Sequence, residues 1–140
     1  MKIVYYSLSG NTRKMAELIA EGIKGEGKEV ELVEFESALV EDVVKEEVII
    51  LGCPSSGVEE LEEGTVEPFV YELEGKVNGK KVALFGSYGW GDGEWMRNWE
   101  ERMTSYGANL IGEGLTVNEM PEGATEEECI EFGKKIAKSL

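Results

Sequence analysis

The apolar positions change period along the chain, and each change marks an element. Lys2-Ile3-Val4-Tyr5-Tyr6 is a β-branched and aromatic run that reads as a buried strand. A polar turn, Ser7-Leu8-Ser9-Gly10-Asn11-Thr12, follows it. Met15, Leu18, Ile19, Gly22 and Ile23 then recur at helical spacing, with Arg13, Lys14, Glu17, Glu21 and Lys24 on the other face. That spacing predicts an amphipathic helix stopped near Gly25-Glu26-Gly27. Further strands are predicted at 29–35, 48–52 and 81–86. The first of these alternates apolar with acidic residues, as an edge strand does, and the other two are the continuous apolar runs of central parallel strands. Helices are predicted at 66–74, 94–106 and 125–140, and a final strand within 108–117, interrupted by Gly112 and Gly114. Thr125 followed by Glu128 has the spacing of a capping box at the start of the last helix.

Alternating strands and helices predict an α/β fold, because right-handed crossovers place helices on both faces of a parallel sheet. The expectation is one domain, 1–140, with a doubly wound five-stranded parallel sheet in the order 2-1-3-4-5. Ligands of such sheets sit at the carboxyl ends of the strands beside the switch point. Three turns leave those ends, at 7–12, 53–64 and 87–93.

Composition narrows the chemistry. The 140 residues are 41% apolar and 31% charged, with 29 acids against 14 bases, a formal charge of −15 and no histidine. That balance argues against a nucleic-acid backbone or an anionic lipid surface as partner. Without histidine, Ser-His and Cys-His triads and His-ligated zinc are excluded. Cys53 and Cys129 form no CxxC pair or metal cluster and read as small buried hydrophobes. No apolar run has the length of a signal core or membrane span, so a cytoplasmic protein with neither metal nor catalytic residues of its own is expected.

Each turn has a chemistry of its own. In the first, Ser7, Ser9, Asn11 and Thr12 surround Gly10 just before a helix, where hydroxyls, an amide and free N–H groups converge on the positive end of the helix dipole. GxxxxGK[ST] and GxGxxG are both absent, which leaves a cradle for a terminal phosphate held by neutral donors, or an ordinary helix cap. The third turn, Ser87-Tyr88-Gly89-Trp90-Gly91-Asp92-Gly93, presents aromatic rings among glycines, either to a flat ligand or as a lid over the core. The second, from Cys53-Pro54-Ser55-Ser56-Gly57-Val58-Glu59 to Gly64, is polar and acidic, with Gly57 suited to the second position of a type II′ turn. Alone it reads as a solvated loop; together the three suit a planar heterocycle carrying a phosphate.

On these residues the chain resembles the short-chain flavodoxins of the clostridial type, essentially end to end. The most specific stretch runs from Gly79-Lys80-Lys81-Val82 through Gly86-Ser87-Tyr88-Gly89-Trp90-Gly91-Asp92-Gly93 to Glu94-Trp95-Met96. Gly10-Asn11-Thr12 and Ile50-Leu51-Gly52-Cys53-Pro54 support it. The resemblance implies non-covalent FMN and low-potential one-electron transfer between redox enzymes. It implies that Ser7, Leu8, Ser9, Gly10, Asn11 and Thr12 hold the phosphate and that Trp90 stacks on the outer face of the ring. Glu59 would accept from the flavin N3–H, while Ser87, Tyr88 and Gly89 line the rim, with Pro54, Ser55, Ser56, Val58, Gly91 and Asp92 completing the site. It further implies that the peptide at Gly57 turns on one-electron reduction so that its carbonyl accepts from N5. Three features depart from the family: the first turn has Leu8 and Ser9 where the family has glycine and threonine, Ser56 stands for a methionine against the inner ring face, and Val58 for a small or acidic residue.

The acidic charge suits transient encounters of a monomer with basic-surfaced redox proteins. A receiver domain is excluded, because neither the first turn nor Cys53-Pro54-Ser55 has the acidic residues it requires. An FMN quinone reductase would need an added acid, base or substrate domain. A flavodoxin-fold scaffold with weakened or no FMN binding is the remaining alternative.

Overall fold

β-Branched and aliphatic residues form the strands because each can bury its side chain on one of two covered faces. The computed structural model describes residues 1–140. In chain order it contains β1 (Lys2–Tyr5), α1 (Asn11–Gly25), β2 (Glu31–Glu34), a 3₁₀ turn (Phe35–Ser37), α2 (Val40–Val43) and β3 (Val48–Gly52). Then follow α3 (Val66–Glu72), β4 (Lys81–Tyr88), α4 (Glu94–Ser105), β5 (Asn109–Leu110), β6 (Leu115–Asn118) and α5 (Ala124–Lys138). All pairings of these strands are parallel, in the order β2-β1-β3-β4-β5, with β6 also on β4. This is the doubly wound order expected from the alternation.

Two cores of similar size lie on opposite faces. Val4, Ile49, Leu51, Val82 and Leu84 face α2, α3 and α4, whereas Ile3, Ile50, Ala83 and Phe85 face α1 and α5. The period of two along each strand feeds the two faces in turn. Helices α1 and α5 approach so closely that a Cβ at Gly22 would lie 2.0 Å from the Ile130 carbonyl oxygen. One at Gly133 would lie 2.1 Å from that of Ile19. The two glycines seen in the helical pattern are thus the notches of one crossing.

Several boundaries differ from the sequence expectation. The edge strand is shorter than 29–35, since only Glu31–Glu34 pairs with β1. β4 runs on to Tyr88 because Phe85–Tyr88 pair with β6, so Ser87 and Tyr88 belong to the sheet and not to the turn. The expected fifth strand is two strands, β5 against Lys81 and Val82 and β6 against Phe85–Tyr88. The break between them includes Gly114, whose N–H binds the Glu100 carboxylate. The capping box at Thr125 does not form. Gly123 occupies the N-cap, and the Thr125 hydroxyl bonds back to the N–H and carbonyl of Glu122. No helix is long and apolar enough to cross a membrane.

Candidate functional site

The turn 7–12 joins the end of β1 to the first turn of α1. The Ser7 hydroxyl oxygen accepts from the N–H of Gly10 (3.1 Å) and of Arg13 (3.2 Å), which draws the turn into a ring. The N–H groups of Leu8, Ser9, Asn11 and Thr12 have no acceptor within the chain. A helix start with unpaired donors is an anion site by geometry and dipole together. The first turn of α1 contains no acid, unlike those of α4 and α5. The nearby cations are occupied: Arg13 pairs with Glu17 at 3.6 Å and Lys14 with Glu126 at 3.9 Å. Neutral donors therefore make up the cradle. Ser9 and Leu8 are exposed, whereas Thr12 is buried, its hydroxyl 2.9 Å from that of Ser87.

The second turn leaves β3 between the other two. Ser55 N–H donates to the Ser87 carbonyl at 3.0 Å and carries the β3–β4 ladder past the strand ends. Ser56 and Glu60 exchange both backbone bonds at 2.8 Å, enclosing Gly57, Val58 and Glu59. Gly57 takes the positive φ expected of it (+53°), but the closing bonds join Ser56 to Glu60, so three residues lie within the loop instead of two, and Glu59 is left-handed as well (φ +48°). Neither the Gly57 carbonyl nor the Val58 N–H is bonded within the chain, so the peptide between them is held only by its ends. Glu59 does more than sequence reading assigned to it. Its Oε1 accepts from the N–H of Gly93 (3.2 Å) and Glu94 (3.0 Å), capping α4, while Oε2 has no partner. Glu62 acts likewise on α3, accepting from Gly64, Thr65 and Val66 at 2.7 to 3.0 Å. Partial desolvation pushes the Glu62 carboxyl up, but those three donors outweigh it and hold the group below its ordinary value.

The third turn follows β4. Trp90 is 61% exposed, so its indole does not serve as a lid over the core. The Asp92 carbonyl and carboxylate both accept from Arg97, fixing the loop to α4. Of the expected rim residues only Gly89 is exposed. Tyr88 packs its ring on Trp95 with centroids 5.7 Å apart, and the Ser87 hydroxyl turns to Thr12. The Tyr88 ring and the Ser87 hydroxyl, both implied at the rim, are thus engaged by Trp95 and Thr12. Trp95 in turn donates from Nε1 to the Cys53 carbonyl at 3.1 Å. Burial pushes the Cys53 thiol up to about 12, which removes it as a nucleophile.

A fourth segment, missed in the sequence, joins these three. β6 delivers Asn118 and Glu119 to the Tyr88 carbonyl, at 3.3 and 2.8 Å, and Met120 beyond them is exposed. Glu119 is left-handed at φ +60°, the second such non-glycine residue beside the site. The broken apolar pattern of 108–117 hid this strand end. Leu8, Val58, Trp90 and Met120, one from each segment, form an exposed apolar rim at the carboxyl edge of the sheet. The larger cavities lie elsewhere. One of about 350 Å³ lies between residues 59–67 and α4 and meets this edge at Glu59, Glu60 and Glu63. The site is thus an open shelf with anion donors at one end and an indole at the other.

Comparison with known proteins agrees with this geometry. Residues 3–133 match the family named Flavodoxin. The chain is 54% identical to the flavodoxin of Clostridium beijerinckii over 137 residues, covering 98% of this chain and 99% of that protein. It is 51% identical to the flavodoxin of Megasphaera elsdenii over 139 residues, 99% of each. The solution structure of two-electron reduced Megasphaera elsdenii flavodoxin superposes with a TM-score of 0.89 over 98% of both chains.

Proposed function

The chain belongs to the flavodoxin family, and from that premise we propose that its open shelf holds FMN between the turn 7–12 and Trp90. The protein is an FMN-binding electron carrier with no substrate turnover of its own. Bound FMN supplies the one-electron chemistry, and the protein supplies position and electrostatics.

The observation that carries the site assignment is the set of four unpartnered N–H groups at Leu8, Ser9, Asn11 and Thr12. A phosphate dianion satisfies all of them without a lysine. Trp90, free of the core, offers its face to the ring. The unpaired Oε2 of Glu59 is the acceptor available to a ring N–H. Oε1 on α4 holds that carboxylate still. The unbonded Gly57–Val58 peptide can turn its carbonyl without breaking a bond, and glycine removes the steric penalty of doing so. Pro54, Ser55 and Ser56 carry the loop to that hinge, Asp92 holds the Trp90 loop to α4, and Gly91 lies against the Glu59 carboxylate.

The partner surface is the same edge. Its apolar rim lies among Glu60, Glu63, Asp92, Glu119 and Glu122, so basic-surfaced redox proteins would be drawn to the cofactor end and released quickly. We assign the chain as a single domain acting as a cytoplasmic monomer. A stepwise reductive titration of the FMN complex tests the carrier reading. Two resolved one-electron steps are expected, and a single two-electron step would contradict the role given to Gly57.

A further inference from the structure

We propose that Ser87 is a positioning residue for phosphate binding: through its hydrogen bond it fixes the Thr12 hydroxyl as a donor into the turn 7–12. This rests on the reading of that turn as the FMN phosphate site and gives Ser87 a task at the opposite end of the ligand from the ring rim.

Thr12 and Ser87 are 1% and 4% exposed and are the two buried polar residues of the protein. Their hydroxyl oxygens lie 2.9 Å apart, and Ser87 N–H donates to the same Thr12 oxygen at 3.4 Å. No other group in the chain bonds to either hydroxyl. Each hydroxyl has one hydrogen to donate, yet the pair contains a single oxygen–oxygen bond. One buried hydrogen is therefore left without an acceptor in the protein, and buried donors are rarely left so. Two arrangements exist. Either Thr12 donates to Ser87 and the Ser87 hydrogen is spare, or Ser87 donates to Thr12 and the Thr12 hydrogen is spare.

Surroundings choose between them. Thr12 is the second residue of α1, among the unpaired N–H groups of the anion cradle, whereas Ser87 lies inside β4. With Ser87 donating both N–H and O–H, both lone pairs of Thr12 Oγ1 are used, and its hydrogen can only be given away. An anion in the turn is the acceptor that this arrangement suits, and its field reinforces the chain of two hydroxyls. The residues are 75 positions apart, so the bond also ties the phosphate turn to the strand that carries the Trp90 loop.

The test is a double-mutant cycle on affinity, using FMN and riboflavin, which lacks the phosphate, as probes. Ser87→Ala should weaken FMN by up to about tenfold, the scale of a hydrogen bond between neutral groups, and leave riboflavin unchanged. Thr12→Val should weaken FMN at least as much, and adding Ser87→Ala to it should cost nothing further. Ser87→Cys, close in size but a poor donor, should behave as Ser87→Ala does. Equal loss for both flavins would show a merely structural role and overturn the proposal. So would an undiminished Ser87→Ala effect in the Thr12→Val background, or no effect at all. A wild-type chain that fails to bind FMN overturns the underlying site reading, and with it the role of Ser87. Wild-type binding with an indifferent Ser87→Ala overturns the role of Ser87 alone.

Discussion

At the scale of single residues, the site divides into side chains that face a ligand and side chains that hold those in place. Trp90 belongs to the first group: it is 61% exposed and supports nothing beneath it. Trp90→Ala should therefore weaken FMN by roughly 1–3 kcal/mol, the scale of a base on an aromatic ring, and leave the urea midpoint of the apoprotein unmoved. A lowered midpoint with unchanged FMN affinity would place the indole in the wrong group. Glu59, Tyr88 and Ser87 belong wholly or partly to the second group, and this division was only half legible in the sequence. Local composition was enough to mark the turn 7–12 as a set of anion donors, because those donors are contiguous and precede a helix. Whether a glutamate in the run Glu59-Glu60-Leu61-Glu62-Glu63 caps a helix or faces water depends on where a distant N-terminus ends up. The Thr12–Ser87 bond likewise exists only once β1 and β4 are both in the sheet.

Among the elements, the strands and long helices followed from periodicity, and the misreadings cluster where backbone bonds come from side chains. Thr125 has the spacing of a capping residue, but the turn at Glu122 takes its hydroxyl first. The short α3 has no cap in its own N-cap residue and relies on Glu62, three positions upstream of Thr65. Because the Glu62 carboxyl is held below its ordinary value in the folded protein, its stabilisation is full above the ordinary carboxylate range. It is lost as pH falls through the lowered value. Glu62→Gln should destabilise the apoprotein at pH 7 by about 1 kcal/mol, the scale of a lost cap. The difference from wild type, read from urea midpoints, should shrink as pH falls from the ordinary carboxylate range through the lowered value. A gap that is constant with pH would mean that the carboxylate does not cap α3.

For the molecule as a whole, topology decides where function can be. The strand order β2-β1-β3-β4 places its switch point between β1 and β3, and the loops after β1, β3 and β4 meet there. That much was legible from alternation alone. The split of the last strand was not, since Gly112 and Gly114 read as an interruption and not as a detour that returns the chain to β4. Glu60, Glu63, Asp92 and Glu119 follow the carboxyl ends of the strands, whereas at the opposite end Lys28, Lys45, Lys76 and Lys80 alternate with Glu29, Glu46, Glu47 and Glu74. FMN held on this edge needs a planar ring beside Trp90 and a phosphate on the α1 terminus at once, and titrating FMN fluorescence with the apoprotein measures both together. Quenching to a 1:1 endpoint at micromolar protein is the predicted result. Emission that stays at the level of free FMN throughout would contradict it.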